Sequence, residues 1–273
     1  MATIADNSRD GLVSQLQEVW RDLAELGASL DDASWTTATP CPGWDVAAQY
    51  AHVIGTESML LSRPNPEAAE KTEQPAHVRN QIGGFNEVWV EHLAGHPRAE
   101  VLAQFDEIVA ARTEALAGMT EADFEAPSWT PVGQADYRRF MQIRVFDCWV
   151  HDQDIRDAVG RPGFETGPVV DQSIDEIVRA LGFVVGKKAG APQGSSVRFE
   201  LTAPVARRVD VDVAERARVV DALAGEPAVT LRMASGAFTR LACGRVAPGA
   251  VEVSMDGDAE LGRRVVDNLA FTI

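Results

Sequence analysis

The chain has 273 residues, enough for one large domain or two ordinary ones, and is 45% hydrophobic and 24% charged. Its formal net charge of -16 repels phosphate backbones, which argues against a nucleic-acid partner. No stretch reaches the length of a membrane span, and no basic segment followed by an apolar one opens the chain. Three separated cysteines (Cys41, Cys148, Cys243) form neither a disulfide framework nor a CxxC knuckle, so a cytoplasmic protein with no membrane partner is expected.

Leu12, Leu16, Val19, Leu23, Leu26 and Leu30 recur at three- and four-residue steps and predict an amphipathic helix over about 8–30. Residues 31–43 read as a loop closed by Pro40-Cys41-Pro42-Gly43. Asp45 is placed to cap a second helix, about 46–62, which carries His52 and follows Trp44. A Pro-containing loop over 63–76 leads to a third helix over about 76–94, weakened in its middle by Gly83-Gly84. A fourth helix covers about 98–118, and 119–134 reads as a loop with Pro127, Pro131 and Gly133. A helix over about 135–159 follows, stopped by Gly160-Arg161-Pro162-Gly163.

Beyond a boundary placed near residue 164 the pattern changes. One helix over about 168–187 precedes strict alternation at Val197, Phe199, Leu201 and at Val209, Val211, Val213, the mark of a half-buried hairpin. Val229, Leu231 and Met233 make a third strand, and Val251, Val253 and Met255 a fourth. A short helix holds Phe238 and Leu241, and a last one starts at Asp258. The fold class is therefore mixed, a helical bundle over 1–163 followed by a small α/β domain over 164–273.

The segment Met141–Ile155 is apolar almost all round (Ile143, Val145, Phe146, Trp149, Val150, Ile155), as in a helix packed on most sides. Arg144, Asp147, His151 and Asp154 nevertheless recur at three- and four-residue steps and form one polar stripe on it. Such a stripe carries a desolvation cost that a bound metal or a self-satisfied hydrogen-bond network, built on an Arg144–Asp147 pair, would offset. Asp147 and His151 stand four apart and can bind one ion, and a bundle can bring His52 to them at mid-height. Two imidazoles and a carboxylate leave a fourth tetrahedral position open. Asp154 is placed to receive the second ring N–H of His151, and Arg144 to hold a carboxylate substrate or to neutralise the acidic stripe. Cys148 and Cys41 read as buried small residues, although the turn around Cys41 leaves a redox role open. His77, His92 and His96 read as surface. Trp35, Trp44, Trp89 and Trp149 read as core anchors, with Trp44 also placed to wall a pocket beside His52.

Two motifs carry a resemblance. Pro40-Cys41-Pro42-Gly43-Trp44-Asp45-Val46 with Ala51-His52, and Arg144-Val-Phe-Asp147-Cys-Trp-Val-His151-Asp-Gln-Asp154, resemble the mycothiol-dependent maleylpyruvate isomerase family of actinobacteria. That family belongs to the DinB-like metal-binding four-helix bundles. Ala237-Phe238-Thr239-Arg240-Leu241-Ala-Cys-Gly244-Arg245 is similar to its sterol-carrier-like C-terminal domain. The resemblance implies a divalent metal, usually zinc, on His52, Asp147 and His151, with mycothiol as thiol cosubstrate. The family's middle ligand is commonly glutamate, whereas Asp147 is one methylene shorter, so that the helix must approach closer, a water must bridge, or affinity drops. The activity implied is activation of a small thiol for addition to an electrophilic substrate, by isomerisation or thiol transfer, with Arg240 and Arg245 as further candidates to hold anionic groups. The alternatives are a non-catalytic metal-binding module whose C-terminal domain binds a lipid or a protein, and a metal-dependent hydrolase. A closed four-ligand sphere completed by Asp154 would favour the former.

Overall fold

The structure, a computed structural model, describes residues 5–67 and 75–272. The loop expected over 63–76 therefore lies in part outside the described residues. Two compact units divide the chain, one spanning residues 6–164 and the other residues 165–272 with Ala5.

In the first unit, α1 (Arg9–Ser29), α3 (Val46–Leu60), α5 (Arg98–Ala117) and α7 (Tyr137–Val159) form a four-helix bundle. Each packs on two neighbours, α1 on α5 and α7, and α3 on α5 and α7. The leucine stripe of α1 is buried throughout, which is the burial its spacing dictates. α3 is apolar on nearly every side because α4 (Gln81–Leu93) also packs on it from outside the bundle. The helix boundaries follow local chemistry. Asp45 accepts from Ala48 N at 2.9 Å and starts α3, Asp136 accepts from Arg139 N at 2.7 Å and starts α7, and Gly160 at φ 64° ends α7 in the left-handed region.

The structure departs from expectation at three places in this unit. The loop over 31–43 contains a single helical turn, α2 (Asp32–Trp35), capped by Asp31, which anchors Trp35 in the core. α4 begins at Gln81 rather than 76 because Asn80 caps it by accepting from Gly83 N at 2.9 Å. Gly83-Gly84 thus falls in the first turn, where glycine costs little. The expected loop over 119–134 holds α6 (Glu121–Glu125), with a Thr120/Asp123 capping box, and an antiparallel hairpin of β1 (Pro127–Thr130) and β2 (Gly133–Asp136).

The second unit opens with α8 (Pro168–Phe183), extended by a π-helical turn at Val184–Lys188. Five strands follow in the order β5-β4-β3-β6-β7, with β3 and β6 parallel and the other pairs antiparallel. They are β3 (Ser196–Thr202), β4 (Arg207–Val213), β5 (Ala217–Val220), β6 (Val229–Ala234) and β7 (Ser254–Gly257). β5 was not expected, and β7 starts at Ser254 because Pro248–Ala250 forms a 3-10 turn ahead of it. Register explains the core: Phe199 pairs with Val209 and Leu231, and Val197 with Val211 and Val229, so the buried positions of three strands align on one face. α8, α9 (Ser235–Ala242) and α10 (Ala259–Asp267) pack on the sheet. The intervening positions carry cross-strand ion pairs, Arg198 with Asp210 and Glu200 with Arg232.

The cap on α3 matters beyond stability because this helix carries His52. Asp45→Ala should cost about 1 kcal/mol in urea denaturation, and Asp45→Asn should recover most of that loss.

Candidate metal centre

His52 and Glu57 lie on the buried α3, and Arg144, Asp147, His151 and Asp154 lie on α7. Packing of these two helices brings His52 Nε2 to 3.0 Å from Asp147 Oδ2, while His151 Nε2 stands 3.5 Å from Asp147 Oδ1. One ligand atom from each of His52, Asp147 and His151 lies within 4.8 Å of the other two. The imidazole rings meet edge to face, with centroids 4.6 Å apart. Both histidines are buried, whereas the Asp147 side chain keeps 29% exposure, so the cluster opens to one side. Even with the shorter aspartate arm, α7 sits close enough to α3 for the carboxylate to reach His52 directly.

The Arg144 side chain is 2% exposed and most of its N–H donors are directed at partners inside the fold. Nε and Nη2 donate to Glu57 Oε1 at 3.0 and 2.7 Å, Nη1 donates to Asp147 Oδ2, and Nη2 also reaches Cys148 Sγ at 3.2 Å. These contacts set its charge against Glu57 and Asp147. Glu57, which sequence reasoning missed, is fully buried between two guanidiniums, for Arg112 Nε donates to its other oxygen at 2.8 Å and Arg112 Nη2 to Tyr137 OH at 3.0 Å. A signal for it existed: in Val46–Leu60 it is the one acidic or basic residue apart from His52.

These surroundings set the protonation of the cluster. Burial works to raise the Asp147 carboxyl, but His52 and Arg144 outweigh it and hold Asp147 well below the usual carboxylate range. Burial pushes His52 down, against the pull of Asp147. Burial also works to lower His151, yet the carboxylates of Asp147 and Asp154 prevail and hold it above its ordinary value. Cys148, inert and buried, has its thiol pushed up to about 12 by burial.

Asp154 lies with its Oδ2 3.6 Å from His151 Nδ1, on the ring edge away from Asp147. His151 Nδ1 and His52 Nδ1 are both buried without a hydrogen-bond partner. A cation on the Nε2 atoms would leave the ring protons on these Nδ1 atoms. Asp154 can take the His151 proton after a small shift; His52 Nδ1 has no acceptor among the described residues. The donor set of two imidazoles and an ionised carboxylate fits a divalent ion such as zinc. Trp44 walls the cluster, with ring centroids 5.3 Å from His52 and 5.6 Å from His151. Its Nε1 donates to Glu87 Oε2 at 3.4 Å, and His77 Nε2 lies 2.9 Å from the same oxygen. His77 is thus a half-buried ion-pair partner rather than a surface residue. His92 is exposed, and His96 pairs with Glu100 at 3.5 Å. In the other unit Arg240 lies on α9, and Arg245 Nη1 donates to Cys243 O at 3.1 Å.

The family model of the mycothiol maleylpyruvate isomerase N-terminal domain matches residues 16–156, and that of the MDMPI C-terminal domain matches residues 171–264. Uncharacterized proteins from two strains of Mycobacterium tuberculosis are each 28% identical over 148 residues, 54% of this chain and 56% of theirs. The chain thus spans about half the length of the curated relatives it matches. Crystal structures of the mycothiol-dependent maleylpyruvate isomerase and of its histidine-to-alanine mutant share the fold, with TM-scores of 0.60 and 0.59 at 15% identity. The superposition covers 94% of this chain and 96% of theirs.

Removing Glu57 strands two buried guanidiniums. Glu57→Gln should destabilise the bundle by about 3–5 kcal/mol in urea denaturation, far more than a surface carboxylate such as Glu107, 68% exposed at its side chain, replaced in the same way.

Proposed function

This chain belongs to the mycothiol maleylpyruvate isomerase family, and from that membership and the geometry of the site we propose a metal-dependent enzyme that presents mycothiol to an electrophilic substrate. The observation that carries the reading is the convergence of His52 Nε2, the Asp147 carboxylate and His151 Nε2 at one partly open place. Three protein ligands leave a tetrahedral ion one position for an exogenous ligand. Asp154 faces the other edge of His151 and does not join this set among the described residues. That supports an enzyme over a module with a closed structural sphere. A divalent cation in this place lowers the pKa of a thiol that binds it, so that thiolate is available at neutral pH.

The chain's own residues prepare the site. Arg144, itself held by Glu57, keeps Asp147 ionised, and Trp44 closes one wall beside both imidazoles. In the reaction, the thiolate sulfur adds to the conjugated double bond and the displaced electron pair moves onto the adjoining carbonyl. As an isomerase, the resulting single bond rotates, the electron pair returns and the thiol leaves unchanged, giving the trans acid. As a transferase, a proton quenches the carbanion and the thioether is the product. Maleylpyruvate is the electrophile to test first, because the solved enzyme of this fold acts on it.

Purified protein should carry zinc, and His52→Ala and His151→Ala should each lower the zinc content; full retention in both would overturn the metal reading. Titration calorimetry should show mycothiol binding to the zinc-loaded protein and none after chelation. Zinc-loaded protein with no affinity for mycothiol would sink the thiol reading, and turnover of an ester without thiol would point to a hydrolase instead. Because a proton competes for His151, whose pKa is raised, zinc affinity should be full above that pKa and decline as pH falls through it. A pH series of the same zinc titration reads this directly.

A further inference from the structure

The turn before α3 is held firmly on every side. Thr39 N donates to Trp44 O at 3.0 Å, Trp44 N to Cys41 O at 3.1 Å, and Cys41 N to Thr39 Oγ1 at 3.2 Å. Gln49 Nε2, from α3 itself, donates to that same hydroxyl at 2.7 Å. Gly43 turns the chain at φ +82°, and the His77 imidazole occupies the space a Cβ there would need, 2.3 Å from Nδ1. Cys41 is therefore fixed, half-buried, against one face of α7. Its Sγ, a ring nitrogen of His151 and a carboxylate oxygen of Asp154 all lie within 4.8 Å of one another.

The second observation is the imidazole. His151 is 6% exposed, and its Nδ1 is buried without a hydrogen-bond partner, 3.6 Å from Asp154 Oδ2. Its Nε2 faces Asp147 on the opposite edge. One ring thus belongs to two candidate ligand sets of different chemistry, with His52 and Asp147 in one and Cys41 and Asp154 in the other.

We propose that Cys41, His151 and Asp154 form a second divalent-cation site, sharing the His151 ring with the first and selective for thiophilic ions. Thiolate, imidazole and carboxylate are all zinc ligands, and the sulfur biases the site towards ions such as zinc, cobalt and cadmium over magnesium or calcium. Tetrahedral coordination with bonds of about 2.0–2.3 Å places ligand atoms about 3.5 Å apart. From separations within 4.8 Å the set needs a contraction of at most about 1.3 Å, within reach of a rotation of the half-buried Cys41 side chain. Binding releases the thiol proton to solvent and forms the S–metal bond with no change of oxidation state. Sharing has a consequence: a ring bound through both nitrogens must lose its last proton, so each ion weakens the other. This coupling alone rests on the function proposed above; ligation by Cys41 does not.

Cobalt(II) is the probe, because thiolate ligation gives an intense near-ultraviolet charge-transfer band. His52→Ala removes the first set and leaves the second complete. This variant should bind one cobalt per chain with the band, and adding Cys41→Ser should abolish the band and weaken binding at least about tenfold. No band in the His52→Ala variant, or a band that survives Cys41→Ser, would overturn the proposal. Should His52→Ala fail to fold by circular dichroism, wild-type protein loaded with one zinc is titrated with cobalt instead. The band should then rise in wild type and be missing in Cys41→Ser, and equal spectra would be fatal. Failure of the first site would show separately, as zinc content unchanged by His52→Ala in a Cys41→Ser background, where the second set is incomplete.

Discussion

The buried carboxylate of Glu57 is the constraint on which the helical unit depends. It sits at zero exposure and accepts from both Arg112 on α5 and Arg144 on α7, so three helices meet in one ion-pair network. A buried charge network of this kind contributes little net stability relative to apolar packing, because desolvation offsets the attraction. What it supplies is registry: α3, α5 and α7 cannot slide past one another without stranding a charge. His52 and Asp147 belong to α3 and α7, so the same registry sets the distance between them. The candidate centre is thus positioned by residues one turn away as well as by the direct contact of His52 with Asp147.

That arrangement also determines how Arg144 behaves. A guanidinium beside a ligand carboxylate would by itself weaken that ligand, since it competes for the same lone pairs. Here Nε and Nη2 are turned to Glu57 and one nitrogen, Nη1, is left for Asp147. Asp147 therefore stays ionised and oriented while retaining an oxygen towards His151. The i, i+3 spacing of Arg144 and Asp147 makes this possible, because it places both on one face of α7.

Much of the helical unit was legible because its signals are strong and local. The leucine spacing of α1, the aspartate caps of α3 and α7 and the Gly160 stop each rest on a single physical cause. The proximity of Asp147 to His151 was legible for the same reason, the acid and imidazole of α7 being four residues apart on a segment otherwise apolar. The hairpin of β1 and β2 was hidden because Pro127, Pro131 and Gly133 are loop formers and Ser128, Trp129 and Thr130 show no useful alternation. β5 is a short edge strand with Val219 40% exposed, and lacks the burial that periodicity detects. Glu57 was hidden differently. Its partners Arg112 and Arg144 lie 55 and 87 residues away in sequence, so only the bundle itself reveals why an acid is tolerated there.

Charge balance connects this network to the chemistry. Two guanidiniums, Arg112 and Arg144, meet two carboxylates, Glu57 and Asp147, and sum to zero. Asp154 adds one negative charge beside His151, so with neutral imidazoles the site carries a net negative charge. A thiolate entering it in that state would be repelled and desolvated at once. A divalent cation reverses the sign, and the charge left over is one that a single thiolate cancels. Arg144 would add little to that attraction, because most of its N–H donors are directed at Glu57, Asp147 and Cys148 inside the fold. On the function proposed above, a cation is therefore what would admit an anion to this site, because Arg112 and Arg144 are turned to Glu57 and Asp147 inside the fold.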